Sequence, residues 1–244
     1  MAIVDVKNYS IAFADKVVHR DVSFSLREGE CLGLIGGSGV GKSVILKSLI
    51  GLVKPTAGHI TVDGHEVNGM NEDELIEVRK KVAYVFQNGA LFDSLTVFDN
   101  LAYPLREHTD LSEVQIKQQV LSLLDEFGLL GNEYIFPAEL SGGMQKRVGL
   151  ARSIILHPKV VLYDEPTAGL DPYNTKKIQE MILNLKAKQV SSIFVTHDMP
   201  SAYAVCDRFV FLQGGVVKAK ASIEEVQLKK NPIIQSFVDG TSRE

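Results

Sequence analysis

The stretch CLGLIGGSGVGKS, residues 31–43, joins a short apolar run to a glycine-rich turn that ends in a lysine and a serine. Its second part, GGSGVGKS at residues 36–43, matches the pattern G-x-x-x-x-G-K-[ST], and the helix-like run VILKSLIGL follows directly. A strand, a glycine-rich loop and a helix in this order form a phosphate-binding loop, because backbone N–H groups and the positive end of the helix dipole face an anion. The sequence therefore predicts a nucleotide-binding site.

The residues of this loop have separate expected roles. Backbone N–H groups surround the phosphates along the loop residues Gly36, Gly37, Ser38, Gly39, Val40 and Gly41. Lys42 reaches the outer phosphates, and the hydroxyl of Ser43 binds Mg²⁺. A glycine-rich turn with a chance lysine would show the same pattern, but the strand before the loop and the helix after it favour the phosphate-binding interpretation.

The run VVLYDEP brings two adjacent carboxylates, Asp164 and Glu165, to the end of an apolar strand. Metal binding needs a hard oxygen ligand and hydrolysis needs a base that orients water, so two neighbouring carboxylates can divide these tasks. We expect Asp164 to hold Mg²⁺ and Glu165 to polarise the attacking water. An Asp-Glu pair after a strand is more often a solvated turn, but the phosphate loop upstream favours the catalytic interpretation.

Two further polar residues follow apolar strands in the same way. His197 closes the run SSIFVTH, and Gln87 follows VAYVF. The carboxyl ends of parallel strands meet at one edge of a sheet, so both side chains are expected near the carboxylates. We expect His197 to hydrogen-bond a γ-phosphate or the attacking water, and Gln87 to contact Mg²⁺ or water. The alternatives are a structural histidine and an ordinary loop glutamine.

Strands and helical stretches alternate along most of the chain, which predicts an α/β fold. The expected strands are VSFSL, CLGLIG, HITVDG, VAYVF, VVLYDE and SSIFVTH. Between residues 88 and 150 the pattern becomes helical, with a capping box of Ser112 and Gln115. Apolar residues then recur at helical spacing, namely Ile116, Val120, Leu123, Leu124 and Phe127. This region is predicted to be an inserted helical lobe.

The C-terminal sequence predicts further secondary structure, and the composition restricts the expected partners and compartment. The run FVFLQGGVVKAKA at residues 209–221 predicts a hairpin about Gly214 and Gly215, followed by a charged helix and a polar tail. A net charge of −4 gives no general attraction to nucleic acid. Cys31 and Cys206 lie in apolar runs, so we expect buried free thiols and a reducing compartment.

The N-terminal residues lack the pattern of a signal peptide, and no run of about 18 apolar residues is present. These observations predict a cytoplasmic chain without direct membrane insertion, linked to a membrane only through a partner.

The stretch LSGGMQKRVGLARS, residues 140–153, is half of an anion site. Ser141, Gly142 and Gly143 precede a helical run, so free N–H groups and the helix dipole face outward. No neighbouring residue supplies the negative group, and the other half of the site must come from elsewhere.

These motifs and their order resemble the ATP-binding subunit of ABC transporters over almost the whole chain. GGSGVGKS corresponds to the Walker A motif, Gln87 to the Q-loop, LSGGMQKR to the family signature, VVLYDEP to Walker B, AGLDP to the D-loop and His197 to the switch histidine. The resemblance implies a P-loop NTPase core of the ABC ATPase type, with an antiparallel β subdomain and an inserted helical subdomain. The expected single domain comprises a core at residues 1–87 and 151–225, a helical lobe at 88–150 and a tail at 226–244.

The resemblance also implies how the half-site works. In this family two subunits pack head to tail, so Ser141, Gly142 and Gly143 of one chain meet the γ-phosphate held by Lys42 of a second copy. ATP and Mg²⁺ are the implied cofactors, and Phe13 falls where the family stacks an aromatic ring on adenine. The alternative for Phe13 is a core residue of an edge strand. Because Glu165 and His197 are both present, the resemblance implies an ATP-hydrolysing enzyme and not a non-enzymatic ATP-gated scaffold. The family usually has glutamine where Met144 stands, which we expect to weaken the site modestly.

A narrower resemblance lies in the helical lobe and in the run YDEPTAGLDP. Together with the methionine after Ser-Gly-Gly, NGALFDSLTVFDNLAYPLREHTDLSE is similar to the ATPases of Mla-type phospholipid transporters, whose permease works with MCE-type lipid-binding proteins. This likeness implies a peripheral protein on the cytoplasmic face of the inner membrane that powers lipid movement between two membranes. Leu91, Phe92 and Leu95 are then candidates for a permease docking patch, or else core residues under a loop.

Two other functions remain open at the level of the sequence. A transporter ATPase for another solute, such as an amino acid, has the same motifs. A soluble ABC protein acting on nucleic acid or ribosomes generally has two cassettes, a long coiled coil or basic segments, and this chain has one cassette and an acidic balance.

Overall fold

The structure is a computed structural model in which residues 1–87 and 89–241 are described. The strands are β1 (Ala2–Phe13), β2 (Lys16–Arg27), β3 (Cys31–Gly36), β4 (Ala57–Val62), β5 (His65–Glu66), β6 (Val82–Val85), β7 (Val160–Asp164), β8 (Ser191–Thr196), β9 (Arg208–Gln213) and β10 (Val216–Ser222). The helices are α1 (Lys42–Leu49), α2 (Glu72–Lys81), α3 (Val97–His108), α4 (Glu113–Glu126), α5 (Gly142–Ile154), α6 (Pro172–Ala187), α7 (Met199–Val205), α8 (Ile223–Gln227) and α9 (Pro232–Val238).

The phosphate loop starts from a six-stranded sheet in the order β10-β9-β3-β8-β7-β6. Five neighbouring strands pair in parallel, and β10 pairs antiparallel with β9 at one edge. Strands β3, β6 and β8 are buried along their whole length, as expected for strands of a parallel sheet rich in apolar residues. The carboxyl ends of β3, β8, β7 and β6 therefore lie at the same edge, where the sequence motifs follow the strands.

A second, four-stranded sheet has the order β2-β1-β4-β5 and is antiparallel throughout. Its buried side chains, such as Tyr9 and Leu26, share one core with Ile45 of α1, Leu75 of α2 and Leu162 of β7. This cluster joins the two sheets. The antiparallel pairing of β1, β2, β4 and β5 confirms the antiparallel β part of the expected fold.

A second core lies between the strands of the six-stranded sheet and the remaining helices. Val148 of α5, Ile178 of α6 and Phe209 of β9 belong to it, together with Leu101 of α3 and Ile116 of α4. Helices α3, α4 and α5 contact one another and fall mostly within the region expected to be an inserted lobe. The lobe boundary at Asn88 lies outside the described residues, and the division of the chain into subdomains stays a prediction.

Local sequence signals agree with the observed elements in several places. The capping box of α4 is present, since Ser112 Oγ accepts from Gln115 N–H and the Gln115 side chain accepts from Ser112 N–H. The hairpin of β9 and β10 turns at Gly214 and Gly215, both with positive φ. The two cysteines are free and buried.

Two parts of the sequence interpretation differ from the structure. The first strand named from its local pattern was VSFSL at residues 22–26, whereas β1 occupies Ala2–Phe13 and pairs with both β2 and β4. The segment expected to be a polar tail contains α9, whose Ile234 is fully buried in this second core. The last three residues of the expected tail lie outside the described part of the chain.

None of the helices in the described part of the chain has both the length and the apolar character that a bilayer span requires.

Candidate active site

The phosphate loop follows β3 without a break and depends on glycine at two close approaches. A Cβ at Gly36 would lie 2.4 Å from the carbonyl oxygen of Leu212, which is backbone and cannot move aside cheaply. Gly41 adopts a left-handed φ of 95° directly before α1, and its own carbonyl faces the ring of His19. Both positions therefore need glycine for the loop to keep its path between β9 and β2.

His19 is a residue of this loop environment that the motifs do not indicate. It is fully buried on β2, and its Nε2 lies 3.0 Å from the carbonyl oxygen of Gly41. Burial lowers the pKa of His19, although the contact with the Gly41 carbonyl opposes this effect. A neutral ring that donates from Nε2 to the Gly41 carbonyl stabilises the end of the phosphate loop. This contact could not be predicted from the sequence, because no local pattern links a single histidine on a strand to a glycine 22 residues later.

Lys42 begins α1 and is 7% exposed. Its Nζ donates to the carbonyl oxygens of Gly36 at 2.8 Å and Gly37 at 3.0 Å, so the ammonium lies within the loop. Burial lowers the pKa of Lys42, and the negative charges of Glu165 and Asp164 act in the opposite direction. The lysine and the two carboxylates predicted from separate motifs thus interact electrostatically in the folded chain.

Ser43 and Asp164, predicted as metal ligands, are in direct contact. Ser43 Oγ donates to Asp164 Oδ1 at 2.7 Å, and Tyr84 Oη donates to Asp164 Oδ2 at 2.7 Å. Burial and the neighbouring Asp164 raise the pKa of Tyr84, so the phenol stays a donor near neutral pH. The motifs do not indicate Tyr84, because it lies one strand away on β6, 80 residues before Asp164.

This donor set fits Mg²⁺. A hydroxyl and a carboxylate are hard oxygen ligands, and Mg²⁺ commonly binds through one or two such groups together with nucleotide phosphates and water. Among the described residues, no group of three or more His, Cys, Asp and Glu side chains forms a complete protein cage for a metal. Ser43 and Asp164 are the residues that would hold the ion beside the phosphate loop.

Glu165 follows β7 with a left-handed φ of 51° and is 15% exposed at its side chain. Its backbone N–H donates to the carbonyl oxygen of Val195, and Thr196 Oγ1 donates to Oε2 at 3.1 Å. His197 Nδ1 lies 2.8 Å from Oε1, with the rest of the imidazole largely exposed. The predicted base and the predicted switch histidine are therefore hydrogen-bonded to each other.

A cleft of about 840 Å³ extends from the phosphate loop. Phe13 is 48% exposed and lines this cleft together with residues of the loop, so it is not a core residue of β1. The lining also includes Phe211 and Phe237, whose ring centroids are 4.9 Å apart. Phe237 belongs to α9, and its place beside the cleft depends on the packing of that helix.

The Ser-Gly-Gly half-site lies at the start of α5. Ser141 is the N-cap, and its Oγ accepts from the backbone N–H of Met144 at 3.4 Å. Gly143 lies against Asn174 of α6, where a Cβ would come within 2.4 Å of the side chain. Lys146 of the same helix donates to the carbonyl oxygen of Ala168 in the D-loop. Helix α5 is thus tied to the segment that follows Asp164 and Glu165.

The predicted site residues fall into two groups in the single chain. Contacts join the loop, Asp164, Glu165 and His197 at the edge of the parallel sheet, and Phe13 lines the adjoining cleft. Gln87 lies exposed in the turn after β6, and its role stays a prediction. In the described part of the chain, Ser141 and the two glycines after it are absent from the lining of the cleft.

A sequence model of the family described as "ABC transporter" matches residues 19–168 of the chain. That segment runs from β2 past the phosphate loop, the signature helix and both carboxylates.

Four curated relatives match nearly the whole chain. A protein described as a probable ribonucleotide transport ATP-binding protein from Mycobacterium leprae is 39% identical over 97% of this chain and 69% of its own length. The chain spans 66% of the corresponding Mycobacterium bovis protein. The intermembrane phospholipid transport ATP-binding protein MlaF of Haemophilus influenzae is 36% identical over 98% of this chain and 91% of its own length. The methionine import ATP-binding protein MetN of Carboxydothermus hydrogenoformans is 38% identical over 97% and 72%.

Two solved structures have the same fold. A dimeric ATP-binding cassette in a post-hydrolysis state with ADP and Pi superposes with a TM-score of 0.83, at 30% identity over 90% of this chain and 98% of that chain. CbiO1 from Clostridium perfringens, part of the transporter complex CbiONQ, superposes with a TM-score of 0.85, at 26% identity over 97% and 95%.

Proposed function

The chain belongs to the ABC transporter family as an ATP-hydrolysing subunit, and on this premise we propose that it powers the movement of phospholipid between the inner and outer membranes. The observation that carries the lipid assignment is the match to MlaF, which extends over 98% of this chain and 91% of that protein. The ATPase itself does not contact the transported molecule, so likeness over the whole length is the appropriate support.

The chemistry proposed for the site is MgATP hydrolysis. The loop N–H groups and Lys42 hold the phosphates, Phe13 stacks on adenine, and Ser43 and Asp164 hold Mg²⁺, with Gln87 as a further contact. When bound, Mg²⁺ neutralises charge on the phosphates. Supporting these roles, Lys42 is buried within the loop, and Ser43 Oγ is 2.7 Å from Asp164 Oδ1.

Glu165 is the proposed general base, which orients the attacking water and accepts its proton. His197 is proposed to hold the Glu165 carboxylate and to contact the γ-phosphate. The 2.8 Å separation of His197 Nδ1 and Glu165 Oε1 supports this pairing. Because the ring of His197 is largely exposed, it can turn between the carboxylate and a phosphate without disturbing the core.

The complete site is proposed to need two copies of the chain in a head-to-tail homodimer. Ser141, Gly142 and Gly143 of one copy then meet the γ-phosphate held by Lys42 of the other. Support comes from the exposed position of Ser141 at the start of α5 and from the dimeric form of a structural neighbour. Hydrolysis removes the γ-phosphate contacts, which favours opening of the dimer.

The proposed partners are a membrane permease and an MCE-type lipid-binding protein, with the ATPase peripheral on the cytoplasmic face of the inner membrane. Phe92 is 45% exposed, and its ring contacts Tyr103 with centroids 5.4 Å apart. Tyr103 is also 43% exposed, so the two rings offer an apolar surface for a permease segment.

Import of a small solute is the second candidate function. The relative described as a methionine import protein has 38% identity, slightly above the value for MlaF. The match to this chain covers 72% of the methionine import protein and 91% of MlaF. We therefore prefer phospholipid as the transported molecule.

The deciding experiment is a detergent pull-down of tagged Glu165→Gln protein from its native membranes with MgATP. Proteins and lipids in the eluate are identified by mass spectrometry, and the Lys42→Ala chain serves as the control without a nucleotide-held state. Recovery of a permease, an MCE protein and phospholipid with Glu165→Gln supports lipid transport. A permease with a solute-binding protein and no MCE protein contradicts the lipid assignment and favours import. Ribosomes or DNA without a permease would overturn both.

A further inference from the structure

We propose that Tyr84 is a positioning residue for the metal-binding carboxylate: its phenol holds Oδ2 of Asp164 so that Oδ1 faces Ser43 and the ion. This inference rests on the proposed role of Asp164 in binding Mg²⁺. It adds a residue of a neighbouring strand to a site otherwise built from the phosphate loop and the two carboxylates.

The contacts at Asp164 divide its two oxygens between two donors. Ser43 Oγ is 2.7 Å from Oδ1, and Tyr84 Oη is 2.7 Å from Oδ2. A carboxylate with only the Ser43 contact could rotate about its last torsion and present either oxygen to the metal. The Tyr84 contact removes that freedom, because rotation would break a short hydrogen bond to a charged acceptor.

Tyr84 is itself held in place by the sheet and by its neighbours. In the parallel ladder of β6 and β7, Tyr84 is the partner of Leu162, two residues before Asp164. Its carbonyl oxygen accepts from Ser153 Oγ at 3.3 Å, and its ring packs on Phe86 with centroids 4.3 Å apart. The side chain is 9% exposed. A rigid donor of this kind can orient a metal ligand, as partners of metal ligands generally do.

The ring contact between Tyr84 and Phe86 also links the proposed metal site to the turn that carries Gln87. Phe86, which packs on the Tyr84 ring, directly precedes Gln87 in the chain. The turn is therefore connected to Asp164 through two aromatic rings and one hydrogen bond.

The test is Tyr84→Phe, which keeps the ring and removes only the hydroxyl. Tyr9→Phe is the matched control. It also removes one phenol hydroxyl with a buried hydrogen bond, the 2.9 Å contact to Ser48 Oγ, and this bond does not involve Asp164. Affinity for a fluorescent ATP analogue is measured in EDTA and across a Mg²⁺ titration, and Mn²⁺ binding in the presence of nucleotide is followed by electron paramagnetic resonance.

For Tyr84→Phe we expect unchanged nucleotide affinity in EDTA and a roughly tenfold higher metal concentration at half-saturation. Tyr9→Phe should match the original chain in both measurements. Equal metal affinity in Tyr84→Phe and the original chain, or an equal loss in both tyrosine variants, would overturn the inference.

Asp164→Asn separates this inference from the proposed function. If Asp164→Asn loses metal-dependent nucleotide binding while Tyr84→Phe does not change it, the inference is wrong and the role of Asp164 stands. If neither variant changes metal affinity, both are wrong. Thermal unfolding of each variant without nucleotide shows whether the protein measured is folded.

Discussion

At the scale of single residues, Glu165 combines backbone strain with several hydrogen bonds. A φ of 51° is unfavourable for a residue with a Cβ and costs on the order of 1–3 kcal/mol. The backbone contact to Val195 and the side-chain contacts to Thr196 and His197 hold this conformation. Such strain is typical of a residue whose side chain must point at a reaction centre.

Glu165→Gln is expected to keep ATP binding and to lower the hydrolysis rate by about 10²–10⁴-fold, since a neutral amide cannot accept the proton of the attacking water. ATP turnover and equilibrium ATP binding are measured on the same preparation. Glu77→Gln, the same change at an exposed ion pair with Lys80, is the control and should hydrolyse ATP normally. Normal turnover in Glu165→Gln would show that another group is the base.

At the scale of elements, helix α5 and the turn after Gln87 are packed backbone to backbone. Gly149 of α5 lies so close to Gly89 that an added Cβ would be 2.7 Å from its Cα. Arg152, one turn further along α5, donates to the carbonyl oxygen of Ala90 at 2.8 Å. Buried Asn100 of α3 closes the other side, with bonds to both backbone groups of Phe92. These contacts fix the segment of Gly89 and Ala90 against the helix that begins after Ser141.

Gly149→Ala is expected to destabilise the protein by about 1–3 kcal/mol, because the methyl group meets backbone that cannot rotate away. The sign of this change in the free energy of unfolding is informative, because replacing glycine with alanine inside a helix normally stabilises a protein by about 1 kcal/mol. Unfolding in urea measures the change. Gly142→Ala in the same helix is the matched control for stability, as nothing lies within 4 Å of its added Cβ. Equal or higher stability of Gly149→Ala would mean that the turn yields easily.

At the scale of the whole molecule, Arg208 of β9 connects the parallel sheet to β2 of the antiparallel sheet and to Glu30 in the turn between β2 and β3. Arg208 of β9 donates from Nε to Glu30 Oε1 at 2.7 Å and from Nη2 to Glu30 Oε2 at 3.0 Å and to the Ser25 carbonyl oxygen at 2.6 Å. Glu30 is 8% exposed. Burial would raise the pKa of Glu30, but hydrogen bonds from Arg208 and from the Arg27 N–H, with the Arg208 charge, bring it below its ordinary value.

Glu30→Gln is expected to reduce the free energy of unfolding by about 1–3 kcal/mol at pH 7, since it leaves the partly buried Arg208 without its counter-ion. The pKa of Glu30 is lower in the folded chain, so its ionised form stabilises the fold above the ordinary carboxyl pKa of 4.5. That contribution is lost as the pH falls through the folded value. Urea unfolding of both chains at pH 7 and near pH 4 should therefore show a smaller difference in acid. A difference that grows in acid contradicts the assigned sign.

Ser141→Arg tests the site shared by two copies. We expect normal ATP binding by the isolated chain and loss of ATPase activity in the complex with the permease, because a bulky cation obstructs the interface. Ser112→Arg is the control, since it removes the equivalent N-cap from α4 at a similar stability loss of about 1 kcal/mol. Full activity of the Ser141→Arg complex contradicts the shared site.

Much of the fold and of the candidate site can be predicted from contiguous segments. The phosphate loop, the carboxylates after β7 and the histidine after β8 are each recognised from a strand and the residues that follow it. Parallel pairing then requires these strand ends to meet, as the contacts among Lys42, Ser43, Asp164, Glu165 and His197 confirm. The turn at Gly214 and Gly215 and the cap of α4 are also local signals.

The amino-acid sequence by itself determined the family, the ATPase chemistry and most strands, because those properties depend on short segments with a strong local pattern. Only the tertiary structure decided that Tyr84 meets Asp164 and that His19 supports Gly41, since such contacts depend on the register between distant strands. It also decided the position of α9. A helix of seven residues is unstable alone and forms here because Ile234 is buried in the core, which places Phe237 beside the cleft.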